Sequence, residues 1–130
     1  MPFDLNESFI LAAERVLGAT LPSSYRRSML ISNGGELETE EDEWEQFPIT
    51  DTSDRKRLSR TANHIVKETH VCRGWESFPE GAVAIASNGA GDRLVFLKEG
   101  NAFEPVVYMW SHETGALTKV VNDFSELKAL

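Results

Sequence analysis

The sequence predicts an α+β domain: a twisted antiparallel sheet of about five strands flanked by N-terminal, middle and C-terminal helices. Three observations lead there. In the first half, apolar residues recur every three to four positions, the period of a helix with one buried face. After Gly74 the period drops to two, in short runs rich in β-branched and aromatic residues separated by turn chemistry. The last stretch, "NDFSELKAL", places Asp123 and Glu126 at capping-box spacing, as at the start of a helix. Helices, then strands, then a helix should segregate into layers. The chain has 130 residues, which fits a single domain over 1–130 with enough buried surface for a core without staples.

The elements follow in order. Asn6 is placed to cap a helix through "ESFILAAERVL", whose stripe is Phe9, Ala13, Val16 and Leu17. Gly18 stands where a left-handed C-terminal cap belongs. In "TLPSSYRRSMLISNGGEL", Pro22 suits a first turn, and Leu21, Tyr25 and Met29 mark the inward stripe with Leu30 beside it. Asn33, Gly34 and Gly35 stop that helix. The next segment, "ELETEEDEWE", has no useful periodicity and predicts an exposed loop or ragged edge strand, with Trp44 its single large apolar residue. "QFPI" reads as a short strand that Pro48 confines to an edge or a strand start. Thr52 or Ser53 then caps a third helix through "DRKRLSRTANHIVKET", with Leu58, Ala62, Ile65 and Thr69 facing inward. The strands "AVAIAS", "RLVFLK", "VVYMWS" and "LTKVVN" are joined by short turns, which makes an antiparallel meander. Both parities are apolar in "RLVFL" and "VVYMW", so these two belong at the centre of the sheet. Phe124, Leu127 and Leu130 would dock the final helix.

Composition bounds the function. The chain is 41% apolar and 26% charged, ordinary for a soluble globular protein. No apolar run approaches the ~20 residues of a membrane helix. The opening "MPFDLNESF" is acidic where a signal peptide is basic, and Cys72 is the only cysteine, so the chain is expected to reside in the cytoplasm. Net charge is −8 but unevenly spread: Glu36, Glu38, Glu40, Glu41, Asp42, Glu43 and Glu45 cluster in one block, and removing those seven from 21 acids leaves 14 against 13 bases. A local block of one sign is a solvated loop or a docking surface for a basic partner, for which Trp44 would be the aromatic anchor.

No chemistry is written in the motifs. "SNGAGD", Ser87 to Asp92, lacks the Lys-Ser/Thr pair and following helix of a phosphate loop, and offers only Asn88 and Asp92 to a calcium ion. Its strand-like flanks make it a hairpin built on Asn88-Gly89, with Asp92 bonding nearby amides. His64 and His70 lie on different helix faces, and His70-x-Cys72 has no second ligand pair, so no metal and no cofactor are expected. Cys72, His112 and Asp92 make a catalytic trio only on paper, without a local signature such as G-x-S-x-G. "DRKRLSR" lacks aromatic interleaving and sits in an acidic chain, so no nucleic-acid partner is expected; Arg55, Lys56, Arg57 or Arg60 is expected to face the acidic block in cis.

Four stretches, in order, resemble the signatures of the SUKH superfamily, the bacterial immunity proteins related to the fungal cell-wall-assembly regulators. "LPSSYRRSMLISNGG" is similar to the leucine-proline, tyrosine, asparagine-glycine-glycine motif. "FPEGAVAIASNGAGDRLVFL" resembles the strand, glycine-aspartate turn and strand that follow; "VVYMWSHETG" the aromatic strand and histidine-acid turn; "DFSELKAL" the final helix. The resemblance implies a helix-flanked antiparallel sheet and a non-enzymatic protein that binds a toxin, often a nuclease, encoded nearby, or, as in the fungal relatives, a resident cellular protein. It implies that Leu21, Pro22, Tyr25, Gly34, Gly35, Gly91, Asp92 and Trp110 are scaffold residues. The chain departs from compact members in the length and acidity of 36–45 and in the helix after it, so the partner surface is expected there, on a monomer or weak dimer.

Overall fold

The computed structural model describes residues 2–130 and has the α+β architecture expected of the sequence, with a seven-stranded sheet rather than about five strands. Asn6 caps α1 (Glu7–Leu17) by accepting from the Ser8 N–H, and Gly18 ends it at φ 77°. Ile10, Ala13 and Leu17 form the buried stripe; Val16 is 70% exposed, because the stripe is centred on Ile10 rather than Phe9. α2 (Ser23–Ile31) starts behind Pro22 and buries Tyr25 and Met29, as the fourfold spacing requires.

The sheet is antiparallel throughout, in the order β8-β7-β4-β3-β2-β1-β9. Its strands are β1 (Gly35–Glu38), β2 (Glu43–Gln46), β3 (Val83–Ser87), β4 (Arg93–Phe96), β7 (Val107–Trp110), β8 (Leu117–Val121) and β9 (Lys128–Ala129). β5 (Lys98–Glu99) and β6 (Ala102–Phe103) pair as a separate ribbon inside the segment read as a turn. β3 and β4 are nearly wholly buried, as expected for a central strand of mixed parity; β7 lies one strand from the β8 edge.

Four expectations are corrected. The acidic segment is neither a loop nor a ragged edge: it forms the β1–β2 hairpin, and β2 pairs with β3 inside the sheet. "QFPI" is not a strand of its own. β2 stops at Gln46, and Pro48, which has no N–H, instead accepts from the Ile65 N–H at 2.9 Å. The third helix splits into α3 (Arg55–Arg60) and α4 (Ile65–Cys72). Asp54, not Thr52 or Ser53, caps α3, and the His64 ring accepts from the Lys67 N–H to cap α4. Only α4 faces inward, through Ile65, Thr69 and Cys72; Leu58 is 50% exposed and Ala62 is exposed. The C-terminal helix is a single 3-10 turn, Phe124–Glu126. Its capping box is present, but Leu127 returns to extended geometry (φ −79°, ψ 144°), and the chain pairs with β1 as β9. Phe124 is buried there, whereas Leu130 is exposed.

Two polar details hold the core together. Between Ala84 and Ala86 the β3–β4 register shifts, and the Ala84 N–H donates to Thr69 Oγ1 at 2.9 Å, so the irregularity leaves no orphan there. Tyr25 packs edge-on against Phe96 and Phe124, with centroids 5.2 and 5.0 Å away. Its hydroxyl has no hydrogen-bond partner among the described residues, and burial pushes the phenol well above the usual tyrosine value. Tyr25→Phe keeps both ring contacts and removes a desolvated O–H. Urea unfolding should therefore find the variant equal to the parent or up to about 1 kcal/mol more stable, whereas Tyr25→Ala should cost about 3–5 kcal/mol.

Candidate functional site

The acidic hairpin alternates. Leu37 and Trp44 are opposite one another, buried on the core side. Glu36 is opposite Glu45, and Glu38 opposite Glu43, on the other face. Directly opposed side chains have Cβ atoms about 4.5–5.5 Å apart, and like charges there repel. The apex, carrying exposed Glu40 and Glu41, is stiff: the Thr39 N–H donates to Asp42 O at 2.8 Å, and the Glu43 N–H donates to Asp42 Oδ1 at 2.9 Å. Beside the strands lies a shallow depression of about 240 Å³, edged by Glu36, Glu43, Glu45, Asn88 and Gly89.

Two sequence expectations fail here. Trp44 is only 2% exposed and its indole N–H donates to Thr39 Oγ1, so it fastens the hairpin from beneath and offers no surface anchor. The basic helix does not neutralise the block. Arg57 pairs with Asp4 (2.9 Å), Asp51 (3.1 Å) and Asp54 (3.7 Å), and with Lys56 and Arg60 it gathers over the Phe3 ring. Burial alone would raise the Asp51 carboxyl, but hydrogen bonds from Ser53 and Arg57 outweigh it and hold it below the usual range. Among the described residues, no Lys, Arg or His lies within ion-pair distance of the seven acids at 36–45.

"SNGAGD" borders this face. It is a five-residue connection rather than a two-residue Asn-Gly turn: β3 ends at Ser87, β4 begins at Arg93, and the left-handed glycine is Gly91 (φ 96°), not Gly89. Asn88 Oδ1 accepts from the Ala90 and Asp92 N–H groups at 3.0 Å, and Asn88 Nδ2 donates to Asp42 Oδ2 at 2.8 Å, tying loop to hairpin apex. Asp92 Oδ1 accepts from the His112 N–H (3.2 Å) and bonds His112 Nδ1 (2.9 Å). A Cβ on Gly91 would sit 3.2–3.4 Å from three His112 ring atoms. The glycine-aspartate pair thus locks the β3–β4 loop to the β7–β8 turn. Asp92 and His112 meet, but Cys72 is buried and its thiol is pushed up by burial, the state of an inert cysteine. Among the described residues, no group of three or more His, Cys, Asp or Glu could hold a metal, and no helix is long and apolar enough to cross a membrane.

Leu21, Tyr25 and Trp110 are in the core, Pro22 is buried at the head of α2, and Gly34 (φ 117°) and Gly35 (φ 97°) turn the chain into β1. The SMI1 / KNR4 family (SUKH-1) matches residues 4–129. The chain belongs to the SMI1/KNR4 (SUKH-1) family. No curated protein matches it. Membership supports a protein-binding role for the domain, in immunity or in regulation. Sequence reasoning missed Trp75 and Asn33. Trp75 carries no periodic signal beyond following Gly74, and Asn33 looked like helix punctuation, yet its side chain bonds both backbone groups of Ile49.

The lock in this SMI1/KNR4 domain has a pH signature. Burial raises the Asp92 carboxyl, but the bonds from His112 and Asn88 outweigh it and bring it below the ordinary carboxylate value. A depressed folded value means that the stabilisation is complete above the unfolded value, near pH 4, and fades as pH falls through the folded one. Asp92→Ala should cost about 1–2 kcal/mol at neutral pH. In urea unfolding, the gap to the parent should close as pH falls from about 5 toward 2.

Proposed function

We propose that this domain is a non-enzymatic immunity protein that neutralises a cognate bacterial toxin, a nuclease by class, by binding it through the acidic face of β1 and β2. The observation that carries this reading is the pairing of Glu36 with Glu45 and of Glu38 with Glu43, like opposite like, with no cation of the described chain to relieve them. Such an array costs stability in the free protein and gains most from a partner that supplies Lys or Arg. A nuclease holds phosphate in a basic groove. Four carboxylates fixed on a rigid ladder, with Glu40 and Glu41 beyond them, can fill that groove without first ordering a loop. The domain acts as a monomer or weak dimer in the cytoplasm, beside the toxin's own gene product.

Family membership also supports a regulatory module whose client is a resident protein with a basic surface. Co-expression separates the two. The immunity reading expects a neighbouring gene ending in a toxin domain, rescue of cells from that toxin, and a co-purifying complex. No such gene, or no rescue by direct binding, sinks it and favours the regulatory client.

Charge reversal should separate stability from binding. Glu43→Lys faces Glu38 and should stabilise the free protein by about 0.2–1 kcal/mol in urea unfolding. Reversal of Glu40, Glu41 and Glu43 together should slow association with the toxin domain about 10-fold or more at low salt, an effect that shrinks as salt rises. Association unchanged at low salt would leave the block a solvated face.

A further inference from the structure

One aromatic side chain on the sheet face of the carboxylates is exposed yet packed on its inner side. The register runs Glu36, Glu45, Ser87, Arg93, Trp110, Leu117 across the sheet, so these six share one row and one face. Over the Arg93–Trp110 end lies Trp75, from the turn after α4. Its ring is 5.3 Å from Trp110 and 6.4 Å from His112, and the Arg93 guanidinium stands 5.6 Å from its centroid. Each support is itself held. Trp110 is packed edge-on by Phe78 and donates its indole N–H to Ser77 O at 3.2 Å. His112 is bonded to Asp92, and Arg93 donates to Gly91 O at 2.6 Å. Trp75 is nevertheless 41% exposed, and Leu117, cross-strand from Trp110, is 40% exposed.

A solvent-facing indole on a built platform has already lost the side-chain freedom that binding would otherwise cost. Aromatic anchors that become buried on binding dominate interface energetics, and charged rims set encounter rate. From Glu45 to Arg93 is two strand spacings, about 10 Å, so one interface of ordinary size covers both features. Charge decides the occupant. A second copy would bring its own acidic face against this one, whereas a basic surface complements it. We propose that Trp75 is the apolar anchor of the partner-binding face, and that the partner is a basic protein surface with a protruding apolar side chain ringed by Lys or Arg. This rests on β1 and β2 being the charged part of that face.

The test uses two probes against the whole domain: the toxin domain encoded beside its gene, and a short peptide of alternating arginine and leucine with its arginine-serine counterpart. Trp44 and Trp110 are buried, so a change in emission reports Trp75. The leucine peptide should bind more tightly than the serine peptide and shift the emission to the blue. Trp75→Ala should weaken toxin binding by about 30-fold, chiefly through faster dissociation, with its salt dependence kept. Trp75→Phe should lose less. Leu117→Lys, which leaves the platform intact, should also weaken binding, and thermal melts check that each variant folds. Equal binding of the two peptides without an emission shift, or unchanged dissociation in both Trp75→Ala and Leu117→Lys, overturns the anchor while leaving the acidic surface standing. No salt-sensitive binding of either peptide or of the toxin domain overturns both.

Discussion

The Asn33 side chain grips Ile49 by both backbone groups: its amide donates to Ile49 O and its carbonyl accepts from the Ile49 N–H, each at 2.8 Å. That closure, with Gln46 Nε2 donating to Gly34 O at 2.9 Å, fixes where β2 lies against β1. Everything on the acidic face depends on this register. A slip of one residue would turn Leu37 and Trp44 to water and drive glutamates into the core. The apolar pair and the clamp together force the carboxylates into opposed pairs. The repulsion is therefore a consequence of the core, and it persists because the buried partners outweigh it.

The residues that fill the core and join the loops lie apart from the acids of β1 and β2, whereas Trp75 stands on one of them, Trp110. Leu21, Tyr25 and Trp110 fill the core, and Gly91 and Asp92 join two loops. The acids at 36, 38, 43 and 45 lie on the exposed face of β1 and β2 and have no ion-pair partner among the described residues. A fold of this kind can hold its shape while its exposed face is rewritten.

Much of the architecture was legible because it follows local rules. Asn6 and Gly18 bound α1 as capping chemistry requires, and the stripe Tyr25–Met29 is buried as its spacing says. The four strong strands stand where their period changes to two. What was not legible depended on distant partners. β1 and β2 carry only Leu37 and Trp44 as apolar positions, so acids hid an alternating pattern that β3 and β9 then completed. The helix after Asp123 had a correct start and no continuation, because edge pairing with β1 claimed Lys128 and Ala129. α3 and α4 read as one helix because nothing in the sequence revealed that the His64 ring would begin a second cap. Of the site, the acidic cluster was visible as composition; its one-faced arrangement and the platform under Trp75 arise only from strand register.

β9 is only two residues long, yet the Leu130 N–H donates to Glu36 O at 3.0 Å and the strand closes the outer flank of β1. With that flank taken, the open edge on this side of the sheet shrinks to the two residues of β9. So short an edge gives an added strand little to pair with, and docking on the proposed acidic face would rest on side chains rather than on main-chain hydrogen bonds. A two-residue clasp thereby guards the acidic hairpin against indiscriminate strand addition.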